Sequence, residues 1–437
     1  MPDPAPSPTR PAFELRGETV EARNAKYRER LTRYYEALCA GVKTDAPDLY
    51  AKLQGVPPKP LPTGYQLLPK FLPPAPPPVE RPRAASKWYS WPWTEQKIDI
   101  EMKKLDGVTA DLGRIPALPA NERRPIYEKL VNDYSKLTDA QRNIEEHVQY
   151  NRVWQPEIGR QRAGYDKGTH LHDAVLERQA ILDTLDAKDD AAFRTALGLV
   201  ASVDHTQPRA ALEPTLRGRE AALAQEIHAV IDEISPPGFV RVEHPTPHVS
   251  IVHVPFRTDI DDAEFLRSFR EAVESVWHVR DGDDEFRVEL SITYISPADL
   301  YRRRPGCENG GAAKCVPPKK GDQIDVPAHV ALFPPGAAVL TTGSNITYFW
   351  NPAIVVGPQD ARPHTFAHEF GHVLGFRDEY FRGYSDLGPD GFRVMEVVAE
   401  PEDVMGNPGS GPVPRHMFER LITTVYGAPA TPTAAGK

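Results

Sequence analysis

The sequence predicts an α+β protein, with a mixed-sheet domain at the C-terminal end preceded by a mainly helical region that carries Pro-rich segments. Three observations predict it. From Thr94 to about Ile234 apolar residues recur at helical spacing; after Ser235-Pro236-Pro237-Gly238 the spacing switches to alternating and β-branched runs. The chain also holds 46 prolines in 437 residues. That is roughly twice the usual share of about 5%, and many cluster before residue 94. The expected division is 1–93, 94–236 and 237–437.

Within 1–93 a Pro-rich tail leads into a helix expected from Gly17 to Val42. Val56-Pro57-Pro58-Lys59-Pro60 and Leu72-Pro73-Pro74-Ala75-Pro76-Pro77-Pro78 follow, where polyproline II is expected. Such a segment can be a spacer, a ligand for an aromatic groove, or a strap over the protein's own surface. Trp88-Tyr89-Ser90-Trp91-Pro92-Trp93 sets three tryptophans within six residues, costly to leave in water, so this piece is expected to dock on a domain. In 94–236 the helical spacing is carried by Ile126, Leu130, Val131 and Tyr134, by Ala174 to Leu182, and by Ala221 to Ile231. Beyond 237, strands are expected at Val240–Val242, His248–Val254, Phe286–Tyr294, Ala328–Phe333, Ala338–Thr341 and Ile346–Val356. A one-faced helix is expected over Asp261–Val279 and a closing helix over Pro414–Tyr426.

A formal charge of −9 argues against nucleic acid as the main partner. No apolar run approaches the ~18 residues of a membrane span, and Met1-Pro2-Asp3-Pro4-Ala5-Pro6 has neither the basic nor the apolar region of a secretory signal. The expected location is therefore the cytoplasm, or outside it by a route that reads no such signal. Three cysteines are too few for a disulfide framework: Cys307 and Cys315 can close one small loop or stay reduced, and Cys39 sits in an apparent helix.

The chemistry concentrates in His368-Glu369-Phe370-Gly371-His372-Val373-Leu374-Gly375-Phe376-Arg377-Asp378. Residues four apart on a helix share a face, so His368 and His372 can each present an imidazole nitrogen to one Zn²⁺. Glu369, rotated about 100° from His368, is placed to bond a water in the metal's open position. Pro363 suits the helix's first turn, and Gly375 suits its stop in a left-handed conformation. The returning chain then lets Asp378 supply a third, oxygen ligand, with Glu379 the runner-up. Zinc so held lowers the pKa of its water to about 7, and Glu369 can take the proton as the water attacks a peptide carbonyl. A bare His-Glu-x-x-His arises by chance in roughly three of a hundred chains of this composition; adding Gly375 and an acid at 378 lowers this to about one or two in ten thousand.

Other histidines compete for notice. His364 lies one turn before His368, but three successive turns about 5.4 Å apart cannot all reach one zinc at about 2.1 Å. His170, His172 and Asp173 form a pair-like cluster with no strand context, and His244, His248 and His253 are read as strand or loop residues.

On these residues the C-terminal part resembles the metzincin metallopeptidases, whose motif is His-Glu-x-x-His-x-x-Gly-x-x-His/Asp followed by a tight methionine turn. The Asp variant is similar to the snapalysin-type branch, and Asp378-Glu379-Tyr380 is similar to bacterial peptidases with that run after the helix. The resemblance implies a mixed sheet whose edge strand pairs with extended substrate, an active-site helix, a methionine below the metal and a C-terminal helix. Met405, in Glu402-Asp403-Val404-Met405-Gly406, fits the methionine turn, with Met395 a weaker candidate. No tyrosine closely follows Met405, so Tyr380 or Tyr384 is the candidate for stabilising an oxyanion. The expected function is zinc-dependent hydrolysis of protein or peptide substrates, with Glu369 as general base and the N-terminal region regulatory, inhibitory from within the chain, or targeting. The alternative is a binding or delivered effector-type protein whose zinc site is structural or inactive.

Overall fold

The computed structural model describes residues 20–59, 64–76, 86–91, 93–164, 167–307, 315–387 and 391–426. The first part of the Pro-rich tail, Pro60, Pro77, Pro78, Pro92 and the side chains of Trp88, Tyr89 and Trp91 lie outside the described residues, as do Glu308 to Gly311. The protein is mixed α+β. By internal contacts it divides into two compact units. One comprises Met1–Leu61, Ser90–Arg162 and Ser385–Arg393, the other Pro62–Tyr89, Ala163–Tyr384 and Val394–Lys437.

The first unit is built on four helices: α1 (Val20–Asp45), α2 (Pro47–Leu53), α3 (Thr94–Arg114) and α4 (Ala120–Ala163). In α1, Tyr27, Leu31, Tyr34, Leu38 and Val42 recur every three or four residues and form one buried stripe. That stripe packs on Ile98 and Leu105 of α3 and on Tyr127, Leu130 and Tyr134 of α4, with Cys39 at its rim. Trp93, half-buried, packs at 5.1 Å from the ring of Phe392, and Trp154 meets the same ring edge-on at 6.1 Å.

The second unit centres on a seven-stranded mixed sheet. Its strands are β2 (Arg241–Thr246), β3 (Val249–Thr258), β4 (His278–Asp281), β5 (Asp284–Tyr294), β6 (Ala338–Thr342), β7 (Tyr348–Trp350) and β8 (Ala353–Val356). The order is β4-β5-β3-β6-β8-β7; β2 pairs antiparallel with the early residues of β3, and β6 runs parallel to its last ones. β3, β5, β6 and β8 are parallel, whereas β7 lies antiparallel to β8 at the sheet's edge. α8 (Ala263–Val276) begins on an Asp262 cap, whose side chain accepts the Phe265 amide at 2.9 Å. It packs Phe265, Phe269 and Val273 between the sheet and α11 (Pro363–Val373), the helix of the His-Glu motif. Trp277, wholly buried, donates its indole N–H to the Ala367 carbonyl at 2.9 Å, fixing α11 on the same core.

Two expected strands came out differently. Ala328–Phe333 lies in and after a short helix, α10 (Val326–Val330), which follows the similarly short α9 (Pro297–Arg302), because Asp325 caps the Ala328 amide at 3.1 Å and Pro327 occupies the first turn. Ile346–Val356 is two antiparallel strands, β7 and β8, folded back at Asn351-Pro352. Cys307 and Cys315 are joined in a disulfide. No helix among the described residues is long and apolar enough to cross a membrane.

Nor do the compact units follow the linear division expected at 93 and 236. Helices α5 (Lys167–Leu185), α6 (Asp190–Leu197) and α7 (Arg209–Ile231) fall in the second unit. Their apolar stripes, including Val175, Ile181, Phe193, Leu216 and Ile227, close around Val397 and Ala399. The Pro-rich segment belongs there too, as a strap. Tyr65, 1% exposed, donates its phenol hydrogen to the wholly buried carboxylate of Asp259, and Gln66 Nε2 donates to the Asp259 carbonyl at 2.6 Å. Further along, Ala361 N–H bonds the Lys70 carbonyl at 3.1 Å and Leu72 N–H bonds the Ala361 carbonyl at 2.8 Å, while the Phe71 ring stacks on Phe366 of α11 at 5.0 Å.

Two expectations arise. A fragment starting at 237 loses both the strap and α5–α7, baring their apolar partners, so it should show no cooperative unfolding transition by calorimetry where the full chain does. Tyr65→Phe leaves a buried carboxylate short of one donor and should destabilise the full chain by about 2 kcal/mol in a urea titration.

Candidate metal centre

α11 starts at Pro363 and ends in a motif that its sequence dictates. Gly375 adopts φ +95°, donating its N–H to the His372 carbonyl at 3.0 Å, while the Phe376 N–H reaches back to the Gly371 carbonyl at 3.0 Å. A side chain at 375 would also collide with the Ser235 backbone at 2.4 Å. The chain turns there and brings Asp378 back over the last turn of the helix.

The result is a convergence of three donor atoms. Asp378 Oδ1 lies 3.2 Å from His368 Nε2 and 3.2 Å from His372 Nε2. Among the described residues, these three alone form a His, Cys, Asp or Glu group able to grip one ion. Tetrahedral ligands about 2.0–2.1 Å from a zinc ion stand roughly 3.4 Å apart, so the spacing fits. The opposite ring nitrogens are both engaged: His368 Nδ1 bonds the Val404 carbonyl and His372 Nδ1 the Phe376 carbonyl, each at 2.9 Å. Carbonyl partners require N–H at Nδ1, which leaves Nε2 of a neutral ring as a lone pair aimed at the centre. Asp378 Oδ1 is buried without a hydrogen bond. Lone pairs so placed need a cation between them, a proton or a metal ion.

Glu369 stands beside this group and not in it. Burial raises its carboxyl above the usual range, an effect the neighbouring imidazoles oppose, and its carboxylate accepts the backbone N–H of Phe349 on β7. The Phe349 ring lies 5.6 Å from that of His372, so the sheet's edge strand borders the site.

Below the helix, Asp403 Oδ1 accepts the amides of Met405 and Gly406 at 2.7 and 3.0 Å, closing a tight turn. Met405 is wholly buried with its sulfur against Gly371, where even a Cβ would sit 2.3 Å from it. The same turn supplies the Val404 carbonyl that orients His368. Met395 lies elsewhere, on the core of α5–α7.

Beyond Asp378 the chain enters β9 (Tyr380–Asp386), which pairs in a separate sheet with β10 (Phe392–Val398), itself flanked by β1 (Ser86–Trp91). The Tyr380 ring lies nearly parallel to His368, 16° apart with centroids at 6.3 Å, and its phenol bonds Asp378. Burial, together with that carboxylate, holds the Tyr380 hydroxyl far above its ordinary pKa. Tyr384 is buried four residues further along the strand. Glu379, the runner-up ligand, is turned away: its buried carboxyl faces Asp403, and burial with that second carboxylate raises its pKa strongly.

Comparison with protein-family models, curated proteins and solved structures found no match to this chain.

The remaining candidates fall outside the group. His364 is half-buried on the preceding turn, where burial pushes its imidazole pKa down. His244, His248 and His253 bond Ser250, Asp284 and Glu243 on the far strands, at 3.0, 2.9 and 2.9 Å. His172 packs against Gly383 and bonds Asp173 at 2.9 Å. What sequence reasoning missed were the two carbonyl tethers and the part Asp403 plays in the expected methionine turn, which depend on backbone groups no motif spells out.

The electrostatics give a pH expectation for the protein without a metal. Burial pushes His372 down, but Asp378 more than offsets this and holds the imidazole at about 9. Asp378 is raised by burial and lowered by more through the two imidazoles, ending well below the carboxylate range. His372 therefore stabilises the chelated protein fully below its unfolded pKa of about 6.5, and that contribution is lost as pH rises through about 9. Asp378 contributes above its unfolded pKa of about 3.9, and its share is lost as pH falls below that. The melting temperature in EDTA should drop between pH 7 and 10. Zinc binding at pH 7 should release about one proton, measured calorimetrically in buffers of different ionisation enthalpy.

Proposed function

We propose that this chain is a zinc-dependent endopeptidase of the metzincin type, with His368, His372 and Asp378 as metal ligands and Glu369 as general base. The observation that carries the reading is the placing of two Nε2 atoms each 3.2 Å from one Oδ1, with both Nδ1 atoms tied to carbonyls. The antiparallel edge strand β7, the turn holding Met405 and the C-terminal helix α12 (Arg415–Tyr426) also support it. The Cys307–Cys315 bond supports a protein that reaches an oxidising compartment, hence the exported of the two expected locations.

A zinc ion held by these three side chains supplies a polarised water of pKa about 7 and a Lewis acid for the substrate carbonyl. Glu369 takes the proton of the attacking water and hands a proton to the leaving amine. β7 receives an extended segment of substrate as an added strand. Tyr380 turns its phenol from Asp378 to donate to the oxyanion. The helical first unit acts as regulator or targeting element, and no metal-ligating group occurs in its described residues.

The test uses the full chain with denatured casein, reading new N-termini by mass spectrometry for the wild type and Glu369→Ala. Internal cleavage by the wild type alone is expected. Bound zinc with no cleavage by either would favour the structural-metal alternative.

A further inference from the structure

We infer that Arg382 is a positioning residue of the metal centre, holding the Tyr380 ring by one face while its own guanidinium is fixed by an ion pair with Glu396. The inference rests on the peptidase reading and on the role given there to Tyr380. Alternation along β9 puts Tyr380, Arg382 and Tyr384 on one face. Phe381 turns the other way, into the core of α5–α7, and Gly383 lies against the His172 ring. The face carrying Arg382 is thus the one that continues from the metal ligands.

On that face Tyr380 has two planar neighbours. The Tyr380 ring lies nearly parallel to His368 at 6.3 Å, and the Arg382 guanidinium carbon stands 5.0 Å from the Tyr380 centroid on a ring face. Arg382 is not free to leave: Nε and Nη2 both donate to Glu396 Oε2, at 3.0 and 2.9 Å, across to β10. Met395 and Val397, on either side of Glu396 in β10, join the α5–α7 core.

A partly exposed ion pair of this kind is a poor source of stability, because water screens the attraction and ordering two long side chains costs entropy. Methionine would cover the same apolar surface. What methionine cannot supply is a planar cation whose direction is fixed by a carboxylate. Held by the fixed guanidinium, the Tyr380 ring keeps the swing of its hydroxyl hydrogen, between Asp378 and the place where the oxyanion forms. Orientation fixed in advance is lost from the rate when it is removed, and not from substrate affinity.

The test compares wild type, Tyr380→Phe, Arg382→Met, Arg382→Lys, Glu396→Gln and the Tyr380→Phe/Arg382→Met double variant in the full chain. Four quantities are read: zinc content, kcat and KM on a fluorogenic casein peptide, and Kd for a peptide phosphinate whose tetrahedral oxygens mimic the oxyanion. Arg382→Met is expected to lower kcat about tenfold and to raise the phosphinate Kd by a similar factor, with KM and one zinc per chain unchanged. In the double variant the arginine change should add nothing to the loss from Tyr380→Phe. Arg382→Lys should recover part of the rate, and Glu396→Gln should show the Arg382→Met pattern at smaller size. Additive losses, an effect confined to KM, or loss of zinc would overturn the inference. A wild type that cleaves while Tyr380→Phe is normal overturns this inference and leaves the peptidase reading standing; a wild type that neither cleaves nor binds the phosphinate removes both.

Discussion

Glu369→Gln is expected to lower kcat by about 10²–10⁴-fold while zinc content stays at one per chain. The side chain keeps its volume and its acceptor for the Phe349 N–H, but an amide cannot take a proton from water. Because Glu369 lies outside the group of converging donor atoms, the metal should not notice the change. The acid limb of the wild-type kcat–pH profile should be absent from the variant's residual rate. A variant with kcat within threefold of wild type would remove Glu369 from the chemistry.

Asp378→Ala is expected to weaken zinc binding by about 10³-fold or more, since it removes one of the three proposed protein ligands. Glu379 is adjacent in sequence, yet its carboxyl is committed to Asp403. Glu379→Gln should therefore retain zinc at full stoichiometry. Competition against a chromophoric chelator measures both variants, and the reverse pattern would exchange the two residues' roles. Without Asp378, the imidazole of His372 also loses the partner that holds it at about 9, so proton release on zinc binding at pH 7 should shrink.

The parts of this molecule legible in sequence are those written locally. Two histidines one turn apart and a glycine three residues later specify a helix face and its stop, and the structure has α11 and a φ of +95° at Gly375. Asp262 before an amphipathic run specifies α8. Ala328–Phe333 misled because its apolar run suits a strand, while the deciding signals, Asp325 and Pro327, stand at its front. Ile346–Val356 misled because two short strands of a hairpin have the same composition as one long strand.

What could not be read was long-range. Nothing local in Gly64 to Pro76 says that Tyr65 will bury itself against Asp259, or that Phe71 will lie on Phe366. Likewise the helices of 167–231 carry ordinary amphipathic stripes, and only the fold supplies Val397 and Ala399 as their partners. The turn at Gly375 put Asp378 ahead of Glu379 in the sequence reading, but that Glu379 faces Asp403 was of this long-range kind as well.

The most direct measurement of the central claim is a zinc titration of the chelator-stripped full chain, following hydrolysis of denatured casein. If His368, His372 and Asp378 hold the catalytic ion, activity should be absent at the start, rise in proportion to added zinc, and level off at one equivalent per chain. Hydrolysis that survives complete removal of metal, or a chain that binds one equivalent of zinc and still cleaves nothing, would contradict the account.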